Sequence, residues 1–360
     1  MNRHASTRDG GLRVVVVGAT GNVGTGVVQA LAADPAVESV VGIARRRPAW
    51  APPKTTWAEA DIGEGHDLVE LFSGADAVVH LAWLFQPTHQ PAMTWRTNVL
   101  GSVGVFEAVA EAHVPSLVYS SSVGAYSPGP KDQAVDESWP THGWPQAAYC
   151  REKAYVERVL DAFELENPQV RVARMRPGFI FKEESATEQR RLFAGPFLPQ
   201  SLVRPRLLPV VPDLPGLRFQ VLHSRDAADA FRRAIIRRAQ GAFNLASDPV
   251  VDAELLAEVL DARVVRLSAG PARTALAAAW RLHLLPASPD LFDAVLRLPV
   301  MDTSRARAEL DWTPRHTAQE ALADFLRGLR QGSGMETPPL ARNRPRRRFQ
   351  ELATGVGQRP

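Results

Sequence analysis

The chain has 360 residues, 45% of them apolar, with 42 Lys plus Arg against 39 Asp plus Glu and one cysteine. That is enough for one large domain or two modest ones with a buried core, and it argues against a disordered, collagen-like or coiled-coil chain. Cys150 has no partner for a disulfide, no His or Cys spacing suits a metal, and neither an apolar leader nor a membrane-span-length apolar run is visible, so a cytoplasmic protein is expected.

Leu12–Val17 is an unbroken apolar run that enters Gly18-Ala19-Thr20-Gly21-Asn22-Val23-Gly24, and Val23–Ala33 then has helical spacing. A strand, a glycine turn and a helix are what a dinucleotide site requires. The first glycine permits a tight turn, the second lets backbone approach a pyrophosphate, and the third lets the helix pack on the strand. The helix N-terminus then faces the phosphate charge. Ser39–Ala44 is a second buried strand, followed by Arg45-Arg46-Arg47 with no acid to take a ribose 2′-hydroxyl. Arg45 therefore favours a 2′-phosphate, and NADP(H) over NAD(H), the alternative being a solvated arginine cluster. Ala77–Ala82 and Ser116–Ser120 are further strands, with helical stretches at 66–73 and 94–113. Tyr149–Glu166 is a charged amphipathic helix ended by Asn167-Pro168, and Val170–Met175 is one more strand.

Strands alternating with helices predict an α/β fold, a Rossmann-type doubly wound parallel sheet, over residues 12–182. Pro-rich loops and Ala/Leu-rich helices from 183 to 332 predict a smaller, mainly substrate-binding region, some segments of which return to the sheet. Residues 1–11 and 333–360 have the composition of disordered ends. Residues 331–360 hold six Arg (Arg342, Arg344, Arg346, Arg347, Arg348 and Arg359) and two Glu, and residues 1–11 add +1; with a net charge of +3 for the whole chain, the body carries −2. An acidic body argues against nucleic acid as the partner and for a small-molecule substrate. Removing 334–360 is expected to leave stability and activity unchanged.

Tyr149 and Lys153 stand at i and i+4, on one face of one helix. With four Tyr and four Lys in the chain, about 0.04 such pairs are expected by chance. Together with the glycine loop, this pair resembles the extended short-chain dehydrogenase/reductases, in particular the NAD-dependent epimerases/dehydratases, over roughly residues 12 to 330. Asp61-Ile62, His80-Leu81-Ala82, Asn98 and Arg176-Pro177-Gly178-Phe179-Ile180 match family segments, as do Ser120-Ser121-Ser122, Met301-Asp302-Thr303-Ser304 and Leu310-Asp311-Trp312-Thr313-Pro314.

The resemblance implies that Ser122, Tyr149 and Lys153 are catalytic. It also implies that Gly18, Thr20, Gly21, Asn22, Val23, Gly24, Arg45, Asp61, Ile62, Leu81, Ala82, Asn98, Pro177, Gly178 and Ile180, with Tyr149 and Lys153, hold the dinucleotide, and that the protein is a homodimer. Ser121 is the neighbouring alternative to Ser122, and Asp61 has the alternative of a turn cap. In this scheme Tyr149 moves a proton, Lys153 favours the phenolate and holds the nicotinamide ribose, and Ser122 orients the substrate oxygen. Cys150 has no feature that would activate its thiol.

Three departures bear on the substrate. Val123-Gly124 replaces the acidic pair of dehydratases, Arg-Pro-Gly and Lys182 replace residues common in sugar-nucleotide epimerases, and Phe85 stands where some of them carry a phosphate-facing lysine. The expected function is epimerase-type hydride transfer at a secondary alcohol or ketone without elimination of water. The alternatives are NADPH-dependent reduction of a small non-sugar carbonyl compound, and a non-catalytic NADP(H)-binding sensor.

Overall fold

A computed structural model describes residues 10–195 and 209–342. Its central sheet has seven strands: β1 (Leu12–Val17), β2 (Val37–Ala44), β3 (Thr55–Glu59), β4 (Ala77–His80), β5 (Ser116–Ser120), β6 (Arg171–Pro177) and β7 (Gly241–Leu245). They run in the order β7-β6-β5-β4-β1-β2-β3 with every pairing parallel. The order reverses between β1 and β4, and at that switch point a crevice opens beyond the carboxyl ends of the strands.

Parallel strands covered on both faces should be apolar throughout, and β1 is. Val14 and Val16 pack with Val27, Val28 and Leu31 of α1 (Asn22–Ala33). Val15 and Val17 join the opposite layer, with Phe106 of α2 (Gly101–Glu111) and Leu160 of α3 (Ala148–Glu166). A further helix, α4 (Ser224–Ile236), lies against α1 and places Phe231 in the first layer.

Two strands carry no apolar run that a sequence reading could find. β3 is a half-exposed edge strand, and β7 lies inside the 183–332 stretch and returns to pair with β6. The helix at 66–73 shrinks to Val69–Phe72, and the one at 94–113 is three pieces, Pro91–Trp95, a π turn Arg96–Leu100, and α2. The π turn precedes Gly101, where a Cβ would lie 2.9 Å from the Ile62 side chain. Trp312 of the C-terminal signature is fully buried and donates from Nε1 to the Asp226 carbonyl, so that signature clasps α4.

The expectation of a disordered end beginning at 333 is corrected. Leu340 is fully buried, Thr337 is 1% exposed, and the Thr337 hydroxyl donates to the Thr20 carbonyl at 3.0 Å. The Ser333 carbonyl accepts from Thr187, and the Met335 amide donates to the Leu340 carbonyl, closing a short loop. A strap held by single anchors has no periodic face, so composition does not reveal it. A chain ending at Ser333 is expected to melt about 3 °C below one ending at Arg342, from loss of the Leu340 burial alone. Equal melting temperatures in differential scanning calorimetry would refute this. The arginine cluster from Arg344 onward and residues 1–9 lie outside the described residues. Among those described, no helix is long and apolar enough to cross a membrane and no cluster of metal-ligating side chains occurs.

Candidate active site

The glycine turn is shaped by close backbone approach. Gly18 has φ +84°, and a Cβ there would meet the Ala82 amide nitrogen at 2.6 Å; a Cβ on Gly24 would collide with the Gly18 carbonyl. α1 opens at Gly21 with no side-chain cap, which leaves its first N–H groups for an anion. The turn borders a cleft of about 680 Å³ that extends from Arg45 and Arg46, beyond β2, to Ser122, Tyr149 and Lys153. A bound pyrophosphate suits the turn, and Arg45 lies where β2 ends.

Of the residues expected at this site, all but Asn98 border the cleft. Asn98 is fully buried and acts as a clamp: its Oδ1 accepts from the Leu84 amide at 2.7 Å, and its Nδ2 donates to the Leu84 carbonyl at 2.8 Å and to Glu152 at 2.7 Å. It fixes the loop after β4 and does not face the dinucleotide place; Thr97 borders the cleft instead. Asp61 borders the cleft and also caps the following turn, accepting from the Gly63 amide at 2.9 Å. The His80 side chain turns away to Ser102 at 2.9 Å, and burial holds it neutral with a pKa of about 3.

The two serines separate in role. Ser121 donates to Glu157 at 2.5 Å, whereas the Ser122 hydroxyl accepts from the Gly124 amide at 3.0 Å and borders the cleft with Tyr149. A Cβ on Gly124 would lie 2.7 Å from the Tyr149 ring, so the ring occupies the space that an acidic side chain would need. Burial pushes the Tyr149 phenol well above its ordinary range, with the Ser122 hydroxyl acting the other way. Burial likewise pushes the Lys153 ammonium down, opposed by Glu157 and Glu152. Lys153 donates to the Ser120 carbonyl at 2.7 Å and sits 3.4 Å from the centre of the Trp83 ring. Cys150 is buried, and burial raises its thiol to about 12, which keeps it unreactive.

Several residues near this site escape motif reading. Glu157, on the Lys153 face of α3, receives Arg176 at 2.9 and 3.0 Å and Arg174 at 3.0 Å; its i+4 spacing from Lys153 was the available signal. Lys182 donates to Thr25 at 2.6 Å and lies 3.8 Å from the Met335 sulfur, while burial lowers its ammonium to about 8. Pro338 and Pro339 of the strap border the cleft; no sequence signal marks them.

Comparison with known proteins shows the family. The model of the NAD dependent epimerase/dehydratase family matches residues 14–246. A 4-hydroxy-2-methyl-3-oxo-4-farnesyl-3,4-dihydroquinoline-1-oxide ketoreductase of Stigmatella aurantiaca is 27% identical over 337 residues, covering 88% of this chain and 96% of the relative. An uncharacterized protein of Mycobacterium tuberculosis is 25% identical over 370 residues, 96% of this chain and 90% of that one. Among solved structures, the UDP-glucose 4-epimerase of Thermus thermophilus in complex with NAD superposes with a TM-score of 0.64 at 19% identity, over 89% of this chain and 99% of that one, a likeness of fold.

Proposed function

Because the chain belongs to the NAD dependent epimerase/dehydratase family, we propose that it transfers hydride between a nicotinamide dinucleotide and a secondary alcohol or ketone. The observation that carries this reading is that Ser122, Tyr149 and Lys153 border the same cleft as the glycine turn. The dinucleotide, when bound, supplies or takes the hydride. Tyr149 gives its proton to the carbonyl oxygen, Ser122 donates a hydrogen bond to that oxygen, and the Lys153 ammonium reduces the cost of the phenolate left behind. Net reduction of a ketone is favoured by the full-length ketoreductase relative. Epimerisation by transient oxidation uses the same three residues and is the second reading, favoured by the UDP-sugar epimerase neighbours. Elimination of water lacks its acid and base, since Val123 and Gly124 supply neither.

For the cofactor, NADP(H) is the proposed choice, because neither Arg45 nor Arg46 has a carboxylate partner among the described residues and both border the cleft. Titration should give tighter binding of NADPH than NADH, with the preference falling about tenfold in Arg45→Ala. An unchanged preference would refute the assignment. To test the reaction, reduced-nicotinamide absorbance and product identity are followed together for ketones and nucleotide sugars. Stoichiometric loss of NADPH marks reduction, isomerised product without net loss marks epimerisation, and a dinucleotide-bound protein inert to all of them would leave the sensor.

A further inference from the structure

Resting on the hydride-transfer reading, we propose that the substrate is a flat, apolar carbonyl compound, an aryl or polycyclic ketone, and not a nucleotide-bound sugar. Aromatic carbon surrounds the Tyr149 ring. Phe85 lies flat on it, with centroids 4.7 Å apart and planes 12° apart, and Trp83 meets it edge-on at 5.8 Å. Phe193 closes behind Phe85 at 5.5 Å. Beside them Ala294 packs with Ala147, Cys150 and Tyr149, and Leu298 packs with Val123. Three separate segments of the chain supply these walls: the loop after β4, the turn Arg190–Ala194, and α5 (Pro289–Val295) with the residues that follow it.

The walls are also braced. Leu84, between Trp83 and Phe85, has both backbone polar groups held by Asn98. Gln86, next in the chain, donates to the Leu192 carbonyl at 2.7 Å and to the Pro286 carbonyl at 3.2 Å, tying the loop after β4 to the turn Arg190–Ala194 and to the approach to α5. A preformed apolar surface of this kind costs little ordering on binding.

Such a surface discriminates by hydrogen-bonding capacity. A sugar ring brings several hydroxyls to the reacting end, and each one buried against carbon without a partner weakens binding about tenfold or more. An aryl ketone brings one polar atom there, its carbonyl oxygen, and Ser122 and Tyr149 suffice for it. Each further apolar carbon shielded by Trp83, Phe85 or Phe193 strengthens binding about fourfold. Of the cations at the cleft among the described residues, Arg45 and Arg46 stand at the β2 end, Lys153 is covered by Trp83, and Arg190 donates from Nη1 to the Gly195 carbonyl. In the reaction, hydride from the reduced dinucleotide forms the new C–H bond at the carbonyl carbon. The C=O π pair moves to oxygen, the Tyr149 proton completes the alcohol, and solvent reprotonates the phenolate. The ketone is reduced and the dinucleotide oxidised.

The test uses the full chain with NADPH and three probes, acetophenone, 2-acetylnaphthalene and UDP-glucose, measuring both equilibrium binding to the dinucleotide complex and turnover. The expected result is binding of 2-acetylnaphthalene at least tenfold tighter than acetophenone. Phe85→Ser and Phe193→Ser should each weaken it by tenfold or more, with the dinucleotide dissociation constant unchanged as the check on folding. Tighter binding of UDP-glucose than of 2-acetylnaphthalene, no binding of either ketone, or aryl-ketone affinity indifferent to both substitutions would overturn the proposal. Ketone binding that follows these expectations without turnover of any probe would uphold the substrate class and count against the hydride-transfer reading instead.

Discussion

Tyr149→Phe is expected to lower kcat about 10²- to 10⁴-fold while leaving dinucleotide affinity and melting temperature nearly unchanged. The substitution keeps the ring that stacks on Phe85 and packs on Gly124, and removes only the hydroxyl. Because burial raises the phenol pKa, the wild-type hydroxyl is protonated at neutral pH and ready to donate in the direction of reduction. Reduction should therefore hold from mildly acid to neutral pH and decline only on the alkaline side. Lys153→Ala behaves differently, since it removes both the cation one helical turn on from Tyr149 and the anchor on the Ser120 carbonyl, and is expected to weaken dinucleotide binding as well as kcat. Separate kcat, KM and dinucleotide-binding measurements on the two variants distinguish the roles, and near-normal kcat in Tyr149→Phe would refute the assignment.

The second large effect is on stability. Glu157→Ala is expected to cost about 3–5 kcal/mol, because it leaves Arg176 buried without its carboxylate partner, while Arg174 keeps Asp161 and Glu164. Burial alone would raise the Glu157 pKa, but hydrogen bonds and charge from Arg176, with Arg174 and Ser121, hold it at about 2 against an ordinary 4.5. A carboxyl depressed in the folded state binds fewer protons there than in the unfolded chain, so its contribution is present above about 4.5 and is lost as pH falls through about 2. Urea unfolding of wild type and Glu157→Gln across that interval should show the acid-side slope shrink in the variant. Identical slopes would mean that the carboxylate does not carry the effect. The same change releases Ser121, so a loss of kcat larger than the loss of folded protein is also expected.

What the sequence made legible follows from what kind of signal each part emits. β1, the glycine turn and α1 were readable because an apolar run, fixed glycine spacing and helical periodicity coincide there. The edge strand β3 and the late strand β7 were not, because one is half-exposed and the other joins the sheet through long-range pairing that no local pattern encodes. The Tyr149/Lys153 pair was legible from spacing, whereas the choice between Ser121 and Ser122 needed the partner, Glu157, that takes one of the two hydroxyls. Asn98 was placed at the dinucleotide by resemblance, and the structure turns its amide onto the Leu84 backbone. Trp83 carries no signal in the sequence and Phe85 stands out only as a departure from a lysine, while the fold stacks one on Lys153 and the other on Tyr149.

The Thr337 bond to Thr20 joins the first strand-turn-helix unit to the last described segment, so two stretches remote in sequence meet at one wall of the cleft. The cover is synthesised 317 residues after the glycine turn, so a growing chain can build the sheet long before that wall is complete. A chain truncated before Thr337 would keep most of the fold while exposing this face of the glycine turn.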